Sequence, residues 1–182
     1  MEFVKKNTKI YILSGKSGSG KDTVASMIKN MINKKVISLA YASYLKMYAK
    51  EVLGWDGNED TKPREFLQQL GVELIKNNID ENMLVRRIIE DIKVYSYFYD
   101  VIIISDARFP NEIDSIKANF DNVTVIHLSD RENKLTDEEK MHATETSLNN
   151  YNNYDYVVSE DNLDDLSNTI EKIIGETYDS RD

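Results

Sequence analysis

Apolar residues fall along the chain in two alternating kinds of run, short continuous ones and longer ones at helical spacing. Ile10-Tyr11-Ile12-Leu13 is a short apolar run that stops at Ser14-Gly15, the mark of a strand buried on both faces. After Lys21, the residues Val24, Met27, Ile28, Met31 and Ile32 recur at helical spacing, which predicts a helix directly behind that strand. Val36-Ile37-Ser38-Leu39 predicts a second strand. Helical patterns then fill the stretch from Ala42 to about Tyr97, broken near Gly54-Trp55-Asp56-Gly57 and again near Asn77-Asn78. The last of these helices is read as capped by Asp80, with Val85, Ile88, Ile89 and Ile92 on its buried face. Val101-Ile102-Ile103-Ile104 is the most β-like run, three isoleucines behind a valine. Val123 to Leu128 and Tyr156-Val157-Val158 add two more strands. A final helix carries Leu163, Leu166, Ile170, Ile173 and Ile174 on one face, with Asp161 as its expected cap.

Strands separated by helices imply a parallel sheet with helices on both faces, here a three-layer α/β/α arrangement of about five strands. No internal repeat and no linker divides the chain, so residues 1–182 are expected to form a single domain. Composition narrows the setting. With no cysteine, disulfides, thiolate catalysis and zinc–thiolate sites are all excluded. No apolar run approaches the roughly 20 residues a membrane span needs, and the run after Lys5, Lys6 and Lys9 is too short for a secretory signal. The expectation is a cytoplasmic protein with no membrane partner.

The formal net charge of −9 argues against a protein that binds a nucleic acid polymer. The charge is unevenly spread, however. Residues 1–50 hold ten lysines against Glu2 and Asp22, whereas residues 130–182 hold five basic and fifteen acidic side chains. A basic N-terminal part in an acidic chain suggests a local anion site such as polyphosphate, although lysines solvated on helix surfaces give the same count.

The segment Gly15-Lys16-Ser17-Gly18-Ser19-Gly20-Lys21-Asp22-Thr23 shows where that site lies. The spacing G-x-x-x-x-G-K lets a loop wrap closely on phosphate, with backbone N–H groups pointing inward and a helix dipole behind them. Gly15 and Gly20 fill the glycine positions and Lys21 the lysine position, between a predicted strand and a predicted helix. The residue after the lysine is Asp22 rather than a hydroxyl, with Thr23 next. Magnesium could therefore be reached through water by Asp22, or directly by Thr23. Asp106 ends the buried strand Ile102-Ile103-Ile104-Ser105, where P-loop proteins place a metal-facing carboxylate. Arg108 follows at the carboxyl edge of the sheet, where ligands of open α/β sheets sit.

With these residues in hand, the chain resembles the deoxynucleoside monophosphate kinases of bacterial and phage type, a branch of the P-loop kinases related to the phosphomevalonate kinases. The resemblance runs from about Lys9 to Ile174. It rests on Ser19-Gly20-Lys21-Asp22-Thr23, Leu45-Lys46 and Gly54-Trp55-Asp56-Gly57. Further blocks are Arg64-Glu65-Phe66-Leu67-Gln68-Gln69-Leu70-Gly71, Asp106-Ala107-Arg108-Phe109-Pro110-Asn111-Glu112 and His142-Ala143-Thr144-Glu145. It implies ATP and Mg2+ as cofactors, and transfer of the terminal phosphoryl group to a phosphorylated small molecule, a (deoxy)nucleoside monophosphate. It also implies an acceptor-binding helical insertion at about 41–98 and a lid at about 129–147. Lys46, Arg64 and Arg108 would grip the acceptor phosphate, Gln68 would meet a base edge, and Arg131 would close from the lid or simply lie on the surface. His142 could orient Glu145 or pack in the core. Trp55, or the cluster Tyr95, Tyr97, Phe98 and Tyr99, could stack on an acceptor base.

An acceptor that is already an ionised phosphate needs no strong general base. Catalysis would then be positioning and neutralisation of charge by Lys21, a magnesium ion near Asp22, Thr23 and Asp106, and the arginines. Two other classes stay open: a phosphomevalonate kinase-like enzyme, and a P-loop ATPase or nucleotide-binding protein without kinase activity. The chain is expected to be a monomer or homodimer.

Overall fold

The computed structural model describes residues 2–129, 141–160 and 162–178. Five parallel strands form one sheet: β1 (Lys9–Ser14), β2 (Val36–Leu39), β3 (Val101–Ala107), β4 (Val123–Leu128) and β5 (Tyr156–Val158), in the order β2-β3-β1-β4-β5. The helices are α1 (Lys21–Met31), α2 (Tyr41–Leu53), α3 (Arg64–Gln68), α4 (Met83–Tyr95), α5 (Pro110–Asn119), α6 (Ala143–Thr146) and α7 (Leu163–Thr177). A 3-10 turn spans Glu59–Thr61 and a π-helical stretch spans Gln69–Ile79. None of the described helices is long and apolar enough to cross a membrane.

The continuous apolar runs become strands because both faces of the sheet are covered. Pleating sends Tyr11, Leu13, Val101, Ile103, Ile126 and Leu128 to one side, where α1 and α7 pack with Val24, Ile28, Leu166, Ile170 and Ile173. It sends Ile10, Ile12, Ile102, Ile104 and Val125 to the other, against Tyr41, against Val85, Ile88 and Ile92 of α4, and against Ile113 and Ile116 of α5. Each fully buried isoleucine contributes about 1.5–3 kcal/mol by leaving water. A third cluster of Ala49, Trp55 and Leu67, backed by Leu45 and Phe66, holds α2 against α3.

One irregularity in the ladder positions the site. Ile12 pairs with Ile104, but Ser14 pairs with Ala107, so β3 carries one residue more than β1 over this step. The extra residue reverses the alternation, and Ala107 joins the face of Ile102 and Ile104. Asp106 is thereby brought to the carboxyl edge, where its carboxylate meets the start of α2.

Several local expectations are corrected. The break expected near Asn77-Asn78 falls just after Ile79, where the N–H of Asp80 closes a π turn on the carbonyl of Ile75. Asp80 is not the cap of α4: Asn82 holds that position, and Asp80 instead accepts the N–H of Asn82 (2.8 Å) in the preceding turn. Asp161 lies outside the described residues, and Asn162 caps α7 by accepting the N–H of Asp165. Leu163, placed on the buried face by its spacing, is 61% exposed.

Candidate functional site

The glycines of the loop between β1 and α1 all take positive φ, as the wrap requires. Gly15, at φ 139°, leaves no room for a side chain: an added Cβ would stand 2.6 Å from the carbonyl oxygen of Leu128 and 2.7 Å from Ser19 Oγ. Gly20 enters α1 in the left-handed conformation, and no side chain caps that helix. Its first-turn N–H groups therefore present the positive end of the dipole to an anion.

Lys21 is buried and draws the loop around itself. Its ammonium donates to the carbonyls of Gly15 (2.8 Å) and Lys16 (2.6 Å) and to Ser19 Oγ (3.3 Å). Burial, with the Arg108 guanidinium, lowers its pKa to about 8 against the opposite pull of Glu145, Asp106 and Asp22.

Asp106 stands at the end of β3, and its two carboxylate oxygens accept the N–H groups of Tyr41 (2.8 Å) and Ala42 (2.9 Å). A strand-end carboxylate thus caps α2 and sits at the favourable pole of its dipole. Burial raises its pKa, opposed by those two N–H bonds and by Arg108 and Lys21. Glu112, on the first turn of α5, accepts the N–H groups of Arg108 (2.6 Å) and Phe109 (3.1 Å) and fixes the bend after β3. Its burial pushes the carboxyl up to about 8, although the N–H bonds favour the charged form.

These groups border a cleft of about 580 Å³, which also takes in Lys46, Arg64, Gln68 and Arg108. Of the expected donor-side residues, Ser17, Gly18, Gly20, Lys21, Asp22, Thr23 and Asp106 line the same space, whereas Gly15 and Lys16 border a neighbouring cleft and Ser19 is buried. Lys46 shares the Glu59 carboxylate with Lys62 (3.2 and 2.9 Å), an exposed arrangement of the kind that contributes little stability. Arg64, at the start of α3, is exposed. Arg131 lies outside the described residues.

Trp55 is not in this cleft. It is 9% exposed in the α2–α3 cluster, and its indole N–H donates to the carbonyl of Asn58 and to Thr61 Oγ1. Tyr95, Tyr97, Phe98 and Tyr99 are likewise absent from the lining. The structure adds residues that the sequence reading passed over. Lys76 lies 4.0 Å above the Phe109 ring, donates to Asn111 Oδ1 (3.4 Å) and pairs with Glu81 (3.7 Å). Phe109 and Asn111 carried a signal, since they belong to the Asp106–Glu112 block; Lys76 carried none.

Residues 41–170 match the family model described as deoxynucleotide monophosphate kinase. Among curated proteins, no sequence matches. Among solved structures, an unliganded sugar kinase from Janibacter sp. aligns with a TM-score of 0.58 and 14% identity, over 94% of this chain and 96% of its own. An APS kinase mutant from Mycobacterium tuberculosis aligns with a TM-score of 0.53 and 13% identity, over 93% of this chain and 99% of its own. At such identities the likeness concerns the fold.

Proposed function

The chain belongs to the deoxynucleotide monophosphate kinase family, and we propose that it transfers the terminal phosphoryl group of ATP to a deoxynucleoside monophosphate. Family membership makes it a phosphotransferase. The observation that carries the finer reading is that Lys46, Arg64, Gln68 and Arg108 line one cleft with the phosphate loop. Holding ATP does not require those cations, whereas a second phosphorylated substrate does. Gln68 offers both a donor and an acceptor, which suits the edge of a base.

In this reading the loop N–H groups and Lys21 hold the β and γ phosphates, while Arg108, Lys46 and Arg64 bring the acceptor phosphate to them. Asp22, Thr23 and Asp106 border the cleft with oxygen donors alone, the donor set magnesium takes. Magnesium takes most of its ligands from water and phosphate, so few protein oxygens suffice. Bound there, it would help neutralise the charge of the transferred phosphoryl group. Asp106 keeps a lone pair on each oxygen for this purpose, beyond those given to Tyr41 and Ala42.

A panel of deoxynucleoside and nucleoside monophosphates, with phosphomevalonate, assayed with Mg-ATP tests the reading. Turnover of phosphomevalonate alone would replace it with the alternative acceptor, and ATP hydrolysis without transfer would leave an ATPase. Replacing Gln68 with Leu is expected to change the ranking of bases by about tenfold or more in kcat/KM, because base atoms lose their partner. The KM for ATP should stay within about twofold; an unchanged ranking would remove Gln68 from base recognition.

The lowered pKa of Lys21 sets a pH dependence. Below about 8 the ammonium is charged in the free protein; above it, binding a polyphosphate must restore the proton. ATP affinity measured by calorimetry should be flat near pH 7 and fall by up to about tenfold per unit above pH 8. At pH 8.5 binding should take up protons, seen as an enthalpy that varies with buffer ionisation heat. Affinity unchanged to pH 9.5 would show that the loop keeps Lys21 charged throughout.

A further inference from the structure

We propose that Glu145 is a positioning residue that ties the phosphate loop to Arg108 and so makes acceptor alignment depend on the state of the donor loop; this rests on the kinase reading above. One carboxylate oxygen, Oε1, accepts from Arg108 Nη1 at 2.7 Å, and the other, Oε2, accepts the backbone N–H of Ser17 at 2.8 Å. The Glu145 side chain is only 7% exposed, so its charge is removed from water and is stabilised by these two donors. It bridges residues that are far apart in sequence but flank the same cleft, and it also borders a second cleft of about 470 Å³ behind Gly15 and Lys16.

The carboxylate is placed by a short, tightly built element. His142 caps α6 by accepting the N–H of Thr144 on Nδ1, and its carbonyl accepts the N–H of Glu145 at 2.9 Å. Histidine here works as a local anchor, and Glu145 is the group it presents. Arg108 spends Nη1 on Glu145 and, more weakly, on the carbonyl of Thr144 (3.5 Å). A guanidinium has five N–H donors in a rigid plane, so fixing one side aims the rest. A phosphate gripped by such a fork is held in orientation as well as position. Because the other oxygen of Glu145 holds Ser17, a loop that moves to admit a triphosphate moves the carboxylate and, with it, the plane of Arg108.

The test is steady-state kinetics of Glu145→Gln, Arg108→Ala and the double variant, with ATP and the best monophosphate of the panel, alongside thermal midpoints. Glutamine keeps the shape and an acceptor for Ser17 but loses the charge that orients Arg108. Expected are a thermal midpoint lowered no more than in Arg108→Ala, an ATP KM within about threefold, and an acceptor kcat/KM lowered about 10- to 100-fold. Glu145→Asp should recover part of that loss. In the Arg108→Ala background, Glu145→Gln should add almost nothing, since the residue it positions is gone. Losses that multiply in the double variant, an effect confined to ATP KM, or wild-type acceptor kinetics in Glu145→Gln would each overturn the proposal. An inactive wild type would overturn the kinase reading and this inference with it. An active wild type with an indifferent Glu145→Gln overturns this inference alone.

Discussion

Lys21→Ala is expected to lower kcat by at least about 10³-fold, while ATP affinity falls much less. In the free protein the ammonium is already bonded to the carbonyls of Gly15 and Lys16 and to Ser19 Oγ. Binding ATP exchanges those contacts for phosphate oxygens, so much of the ground-state gain is offset. The transition state has no such offset, because charge on the oxygens near the lysine changes as the phosphoryl group leaves. Alanine also deprives the two loop carbonyls of their donor, so some loosening of the loop and of ATP binding will accompany the loss of rate. Rapid-quench measurement with saturating ATP separates the two, and turnover within about tenfold of wild type would remove Lys21 from the chemical step.

Arg108→Ala is expected to lower acceptor kcat/KM by about 10²- to 10³-fold with a much smaller change on the ATP side. Its guanidinium follows the end of β3, near Asp106, and borders the cleft that the phosphate loop also lines. Arg108→Lys should recover little, because a single ammonium cannot make the planar two-point contact with phosphate. Removing the arginine also leaves the Glu145 carboxylate without its charged partner, so the thermal midpoint should fall. A change confined to ATP affinity would reassign Arg108 to the donor site.

The parts legible in the sequence are those whose cause is local. Ile10 to Leu13 and Val101 to Ile104 read as strands because continuous burial needs continuous apolar residues, and the loop from Gly15 to Thr23 read as a phosphate site because its backbone must curl. The helix starts lie one or two residues after the expected caps, at Asn82 and Asn162, since Asp and Asn both offer a side-chain oxygen and the pattern does not say which of two neighbours enters the helix. The π-helical stretch shows only a helical pattern in the sequence, as a change of turn width hardly alters a short apolar pattern. Trp55 was open to misassignment because its aromatic surface suits a base as well as a core, and the contact with Ala49 and Leu67 is tertiary. Lys76 is not legible for the same reason: its charge becomes informative only when its partner, the Phe109 ring, is known.

The strand order has a consequence for how the chain reaches this state. β1 lies at the centre of the sheet, yet its neighbours are β3 and β4 rather than β2. Lys9 meets Val101, so the first strand must wait until roughly 90 further residues exist before it can pair, a delay of about 5 to 20 seconds at ordinary synthesis rates. During that interval Ile10 to Leu13, later fully buried, have no sheet to enter, and an uncovered β-prone run of this kind is an aggregation hazard. The lysines that flank it, Lys9 before and Lys16 and Lys21 after, place like charges at both ends of the run, an arrangement that disfavours association of copies. The same arrangement makes refolding slow relative to helical proteins of this size, because the central pairs of the sheet are also its most distant in sequence.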